Sequence, residues 1–499
     1  MIPQIIKINK IDNVVVALEK ISSDEKLYLD GKEILIPNNV AQGHKIAAIN
    51  ISEGENIIKY GHVIGQAIAY IKAGEWVHSH NMKTNLSEAV EYNYKPKEFS
   101  IDKNLINIPT FLGYKRKNGK VGTRNEIWII NTVGCVNTSA NNIAKICNEK
   151  FKMESFDGAF SFAHPYGCSQ LGDDLVNTQK VLAGLMCNPN IGGVLVIGLG
   201  CENNQLQSLL KLTSNVDLER LRAFNSQDVQ DEIYEGVKLA GELFDLMKND
   251  RREECPISEL ILGMKCGGSD GISGISANPL VGRVTDLLSS LNGRIILSEV
   301  PEMFGAEQQL MNRAKSEIVF QQIVKMINNF KEYFLIHHMP IYENPSPGNK
   351  EGGLTTLEEK SLGAIQKGGS SIITQVLNYG EQINERGLAL LEAPGNDGVS
   401  ATAMTASGAT IILFTTGRGT PLGFPVPTVK ISSNSDLYAK KSNWIDFDAG
   451  QILTGEKNMN SLTEEFVNLL IDIASGKIKT KNEINGYKEI AIWKQGVTL

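Results

Sequence analysis

Cysteine is scarce in this chain, and long apolar runs are missing altogether. Seven cysteines in 499 residues, an odd number, do not read as a disulfide framework. The longest apolar stretches, around 194–200 and 411–414, fall far short of the roughly 20 residues that span a bilayer. The opening MIPQIIKINKIDNVVVAL is broken by Lys7, Lys10, Asp12 and Asn13, so no secretory leader is expected. A cytoplasmic location without a membrane partner follows as the expectation. Basic excess is lacking too: 49 Lys+Arg against 56 Asp+Glu leave a net charge of −7, which argues against a nucleic-acid surface. Neither G-x-G-x-x-G nor G-x-x-x-x-G-K-[ST] occurs, so nucleotide binding, and with it a nucleotide-dependent dehydrogenase, finds no support. There is no low-complexity tract and no solenoid period.

What is present is a soluble globular composition, 42% hydrophobic and 21% charged, in a chain long enough for two to four domains. Residues 1–90 carry short β-type runs, VVVAL (14–18), KIAAINI (45–51) and VIGQAIAYI (63–71), separated by Gly/Asn turn clusters, and predict a small β module. The polar stretch 91–109 reads as a linker. From residue 110 the pattern changes to strand, loop and helix. EIWIINTV (126–133), GAFSFA (158–163) and GVLVIGL (193–199), each followed by a helical segment, predict βαβ units and a parallel sheet over 110–250. The same grammar returns over 256–499 in ELILGMK (259–265), GRIILSE (293–299) and ATIILF (409–414), after a charged boundary at 248–255.

Ligands of open parallel sheets bind beyond the carboxyl ends of the strands. Cys135, Cys168, Cys201 and Cys266 each fall one to five residues past such a predicted end. His164, Glu202, Asp270 and Glu302 lie in the same loops. A single free cysteine is well explained by packing alone; four at equivalent loop positions, each beside Gly, leave packing and a ligand cluster as equal readings. Cys147, Cys187 and Cys255 lie on helices or a linker and read as packing. In VHSHN a strand would aim His78 and His80 to one face, where they could share a divalent metal; a polar surface pair is the other reading. His44 and His62 read as structural, His337 and His338 as surface. The loops CGGSDG (266–271), with Ser269, SPGN (346–349) and TTGRGT (415–420) offer N–H groups and hydroxyls to a carboxylate, and Arg418 could add a bidentate clamp. Together these groups suit a metal-assisted site that eliminates water from a small hydroxy acid.

GYKRKNGKVGTRN (113–125), GLGCENNQ (198–205), KCGGSDGISGISANP (265–279), SPGNKEGGLTTLEEKSLGAIQKGG (346–369) and FTTGRGTPLGFPVPTVKI (414–431) closely resemble motifs of the altronate/galactarate dehydratase family. GHKIA (43–47), KYGHVIG (59–65) and VHSHN (77–81) look like its SAF-type β-clip domain. The resemblance implies an α/β chain: an N-terminal β-clip domain followed by two α/β domains with parallel sheets. It implies a hydro-lyase that converts a hexonate or hexarate into a 2-keto-3-deoxy sugar acid, activated by Fe2+ or Mn2+, and more like altronate than galactarate dehydratase in its fused arrangement. A sulfolactate C–S lyase and a non-catalytic sugar-acid binder are the competing readings. Two loops depart from the family pattern, VGCVN and HPYGCSQ, which bears on substrate choice. The metal is placed among His78, His80, Cys135, Cys168, Cys201 and Cys266, as a single ion or an iron–sulfur cluster. Glu202, Asp270, Lys360 and His164 are the candidates for proton transfer, with Glu359–Lys360 as a helical surface pair the alternative. Asn349, Thr416, Arg418 and Ser269 are the candidates for holding the substrate. A homodimer is the expectation for a metabolic enzyme.

Overall fold

The computed structural model describes residues 4–86, 92–96, 108–213 and 216–498. The first module is built from nine short strands: β1 (Ile5–Ile6), β2 (Val14–Ala17), β3 (Lys26–Leu29), β4 (Lys32–Leu35), β5 (Lys45–Ala47), β6 (Asn56–Lys59), β7 (His62–Ala67), β8 (Trp76–Val77) and β9 (Met82–Lys83). They form an antiparallel sheet in the order β1-β2-β5-β8, a hairpin β3-β4 and a sheet β6-β7-β9. β2 is buried on both faces: Val15 and Ala17 pack with Ile21, Leu27 and Ile36, while Val14 joins the core shared with the last module. The period of two along a strand thus ties this module to its neighbour. Of the 91–109 stretch only 92–96 and 108–109 are described, and they carry no regular structure. The Tyr92 hydroxyl nevertheless donates to Glu307 (2.7 Å) and that of Tyr94 to the Ala314 carbonyl (3.2 Å).

The second module contains β10 (Thr110–Lys115), β11 (Val121–Gly122), β12 (Glu126–Asn131), β13 (Gly158–Ser161), β14 (Ile191–Gly198), β15 (Leu221–Asn225) and β16 (Glu253–Pro256). Its main sheet is parallel, in the order β13-β12-β14-β15. All six residues of β12 are buried, and its centre, Ile127–Ile130, is the unbroken apolar run expected of a strand covered on both faces. The charged boundary at 248–255 is not simply a linker: β16 pairs antiparallel with β10, Phe111 opposite Cys255, so the chain leaves this module through the sheet by which it entered.

The third module adds β17 (Ile261–Cys266), β18 (Arg294–Leu297), β19 (Ile373–Leu377), β20 (Gly387–Leu391), β21 (Ile411–Thr416), β22 (Thr428–Ser432) and β23 (Phe447–Asp448). These make one parallel sheet in the order β19-β20-β18-β17-β21-β22-β23. Helices such as Ala277–Ser290 and Asp397–Ala406 bury its faces. Both parallel sheets are wound in two directions from an inner first strand, β12 in one and β17 in the other. Each therefore has a switch point where the loops diverge and leave a crevice. Among the described residues no helix is long and apolar enough to cross a membrane.

Candidate active site

At the second module's switch point, three loops carry the same dipeptide. Gly134–Cys135 follows β12, Gly167–Cys168 follows β13 and Gly200–Cys201 follows β14. Backbone bonds stitch the loops together: Gly134 N–H to the Tyr166 carbonyl (2.9 Å) and Asn204 N–H to the Gly167 carbonyl (3.0 Å). The Ser169 N–H adds a bond to Asn203 Oδ1 (2.8 Å). Gly167 lies at φ +99, and a Cβ there would run into the Thr132 carbonyl, so only glycine lets the two loops approach. All three thiols are exposed. Glu202 is buried beneath them, and its carboxylate accepts from Thr132 Oγ1 and the N–H groups of Leu199 and Gly200. Burial alone would raise its pKa, but these donors hold it below the usual range. His164 is buried as well, its Nε2 against the Asn131 carbonyl (2.9 Å) and its Nδ1 accepting from Tyr166 N–H. Both candidates for proton transfer here brace the cysteine loops, with their polar atoms taken.

The third module's switch point is closed over charge. Lys265, at the end of β17 and fully buried, is paired with Glu299 and with Asp397 (2.8 Å). Lys367 approaches Glu299 (3.5 Å) and Lys360 pairs with Glu302 (2.9 Å). Between the two glutamates lies Cys266, Sγ 3.1 Å from Glu302 and 3.6 Å from Glu299. Burial first, then the adjacent carboxylates, push this thiol up to about 12, so it keeps its proton. Burial would raise Glu302, yet Lys360, Lys265 and Lys367 overcome it and hold the carboxyl at about 2. Glu299 is raised, by burial and by Glu302, against the pull of Lys265. Burial opposes Lys360, but Glu302 carries its ammonium above the usual range. The gap beside Glu299, Glu302 and Lys367 leaves no room even for a water-sized body. A ligand can therefore approach this cluster only from the rim above it.

That rim is shaped by the first module. The Gly43 carbonyl is so close to Gly271 that a Cβ there would run into it. Lys45 and Lys59 enter from β5 and β6 and hold Glu359 between them at 2.8 Å each, all three fully buried. Burial would raise Glu359, but the two ammonium groups hold it at about 2. His78 Nε2 meets the Lys350 carbonyl and His44 Nε2 the Glu351 carbonyl, each at 3.0 Å. Burial presses His78 down to about 4, so it is a neutral imidazole near pH 7. Glu351 in turn pairs with the exposed Arg418 (3.0 Å).

The six expected metal ligands do not form one set. His78 and His80 do not share a strand face, because β8 ends at Val77, where the Asn81 amide bonds to Trp76 O and accepts from His78 N–H. His80 is exposed while His78 is buried against Ser79 and Lys350. Cys135, Cys168 and Cys201 share one sheet edge; Cys266 closes the last residue of β17 in the other sheet. Among the described residues, the one group of three donors within 4.8 Å of one another is Cys266, Glu299 and Glu302. Asp270 is buried and accepts from Ser273, Ser433 and Asn434, tying the loops of β17 and β22 together; burial raises its pKa. Asn349 is likewise committed, to Ser346, Lys360 and the Ser269 carbonyl, and Thr416 Oγ1 to Gly419 N–H. Ser269 is buried beside them, whereas Arg418 faces outward. Glu359 and Lys360 are not a surface pair: each is buried in a different ion cluster. Lys265, Glu299, Lys367 and Asp397 were not among the expected groups. The signal for them was a lysine inside an otherwise apolar strand, in ILGMKC, facing the EVPEMFG and EAPGNDG loops. A cavity of about 560 Å³ beside Met186, Pro189 and Arg220 opens at the amino ends of β14 and β15, away from both mouths.

Three family models cover the chain in order: the altronate/galactarate dehydratase SAF domain over 3–85, the D-galactarate dehydratase/altronate hydrolase second domain over 113–248, and the D-galactarate/altronate dehydratase C-terminal domain over 257–498. The chain belongs to the altronate/galactarate dehydratase family. It is 50% identical to an altronate dehydratase of Escherichia coli over 497 residues, 99% of this chain and 100% of that one. An altronate dehydratase of Bacillus subtilis is 49% identical, covering 99% of each. A galactarate dehydratase (L-threo-forming) of Escherichia coli is 34% identical over 98% of this chain and 96% of the other. The N-terminal SAF domain and the two α/β modules with parallel sheets are the architecture this family membership implies.

Proposed function

We propose that the chain is a hydro-lyase that dehydrates an altronate-like hexonate to a 2-keto-3-deoxy sugar acid. The observation that carries this reading is the 50% identity to an altronate dehydratase along the whole chain, against 34% for a galactarate dehydratase. Seven cysteines, none of them in a disulfide, suit a reducing, cytoplasmic setting.

The proton-handling groups are Glu302 and Lys360, which keep 5% and 8% exposure while Lys265 has none. Arg418 on the rim offers its free N–H groups to the substrate carboxylate. Glu302 takes the proton from C2 as the C2=C3 bond forms and the C3–O bond breaks. The Lys360 ammonium gives its proton to the departing hydroxide, which leaves as water. Proton transfer from Glu302 back to the Lys360 amine, 2.9 Å away, resets the pair, and the enol product ketonises at C2. Loss of the lysine charge raises the affinity of Glu302 for its proton, so the two transfers favour each other. Lys265 and Lys367 keep the remaining carboxylates neutralised throughout.

Iron is the cofactor this reading calls for, as Fe2+ with Mn2+ as its substitute or within an iron–sulfur cluster. Cys266, Glu299 and Glu302 meet the distance requirement for an ion, but not the charge requirement. Three lysines already neutralise the carboxylates and the thiol holds its proton, so a dication has to displace ammonium groups. The exposed thiols of the second module are the softer donors and suit iron. When bound, iron supplies a Lewis acid that polarises a hydroxyl or carboxylate oxygen.

The test is turnover of anaerobic, iron-supplemented protein on altronate, galactarate and sulfolactate. The expected result is 2-keto-3-deoxy acid from altronate with a kcat/KM at least tenfold above that for galactarate. Sulfite release from sulfolactate alone, or binding of altronate without turnover, would overturn the reading.

A further inference from the structure

We propose that Cys135, Cys168 and Cys201 hold a [4Fe–4S] cluster with one iron left free of any protein ligand. The part such a cluster plays in turnover rests on the dehydratase reading above.

Free cysteine is among the most buried residue types, and Cys147, Cys255 and Cys266 obey that rule. The three Gly–Cys loops break it together, on three neighbouring strands of one sheet, at the carboxyl edge where such sheets bind ligands. Their backbones are held hard from below. Asn137 accepts from His164 N–H and donates to the His164 carbonyl (2.9 Å), Glu202 pins the Gly200 turn, and the Gly167 loop is packed against Thr132. So much buried hydrogen bonding spent on loops whose tips are exposed thiols fits a preorganised site better than a packing accident.

Spacing argues against one ion held by all three thiolates. Sulfurs on a single ion at about 2.3 Å stand at most about 4.6 Å apart. The three loop sulfurs are not all within 4.8 Å of one another, since among the described residues only the Cys266 group meets that limit. In a cluster each thiolate binds a different iron, and wider spacing is what the geometry requires. Two sulfurs also have polar neighbours of the kind that stabilise cluster thiolates: Gln227 Nε2 lies 3.6 Å from Cys201 Sγ, and Ser169 Oγ 3.7 Å from Cys168 Sγ. No fourth cysteine reaches this mouth. Cys147 is buried in the helical core, Cys187 lines the cavity at the opposite sheet edge, and Cys255 and Cys266 belong to other sheets.

The experiment is anaerobic reconstitution of the full chain with ferrous iron and sulfide, followed by iron and acid-labile sulfide analysis and Mössbauer spectroscopy. The expected result is about four irons and four sulfides per chain. The content should fall at least tenfold in Cys135→Ser, Cys168→Ser and Cys201→Ser, and stay unchanged in Cys187→Ser, all with wild-type circular dichroism. One iron without sulfide, no iron, or a cluster that survives the triple replacement would overturn the proposal. A cluster lost with these thiols in protein that turns over no sugar acid leaves this assignment standing and removes the dehydratase reading. Altronate turnover by iron-loaded protein free of sulfide does the reverse.

Discussion

At the carboxyl edge of the four-stranded sheet three thiols stand in the open, whereas at the same edge of the seven-stranded sheet lysines and carboxylates are sealed in and paired. The open mouth contributes almost nothing to the fold: its sulfurs touch solvent, and the groups that brace it, Glu202 and His164, lie underneath. The closed mouth is structural and chemical at once. Removing Glu359 strands two buried ammonium groups, and altering Glu302 breaks its ion pair with Lys360, the pair proposed above for proton transfer. Polar groups whose bonding capacity is exhausted hold loops; those left free or only paired are available for reaction. By that criterion His164, Glu202, Asp270, Asn349 and Thr416 are supports, and the three exposed cysteines, Glu302 and Arg418 remain available; Lys360 does both, donating to Asn344 and Asn349 while it pairs with Glu302.

The contrast can be broken in several places. The largest effect should come from Glu359→Gln, which leaves Lys45 and Lys59 buried and under-compensated. We expect a loss of about 3–5 kcal/mol, read from the urea midpoint. Glu359 also sets an acid limit. Its carboxyl is held at about 2, below the ordinary glutamate value of 4.5, so its stabilisation is fully present above pH 4.5 and disappears as pH falls towards 2. Urea melts across that window should show a steeper loss for the wild type than for Glu359→Gln; equal slopes would place the acid sensitivity elsewhere. Glu302→Gln should lower kcat about 10²–10⁴-fold while iron content stays at the wild-type level, separating the two mouths in one variant. Arg418→Ala should raise KM about tenfold, some 1.4 kcal/mol, with little change in kcat. The smallest effect belongs to the open mouth, where Cys135→Ser should change stability by no more than about 0.5 kcal/mol.

The sequence announced the strands covered on both faces, because β12, β14 and β21 are continuous apolar runs. It also placed the three Gly–Cys loops at one edge, since that inference needs only strand ends and parallel order. β19, β20, β22 and β23 escaped notice: TVKIS and GLALL are brief, and their burial is a property of the finished sheet. The ion cluster was hidden for a different reason. Lys265 meets partners at positions 299 and 397, pairings created by the strand order β20-β18-β17 and by no local period. VHSHN misled because a two-residue strand followed by an Asn81-capped turn cannot keep two histidines on one face.

The most direct measurement follows altronate with ¹³C NMR in ²H₂O during incubation with anaerobic, iron-loaded protein. Hydro-lyase chemistry of the Glu302–Lys360 kind predicts loss of the C3 hydroxyl, a new C2 ketone, and solvent deuterium at C3 as the enol closes. Unchanged altronate, or oxidation without loss of the C3 oxygen, would contradict it.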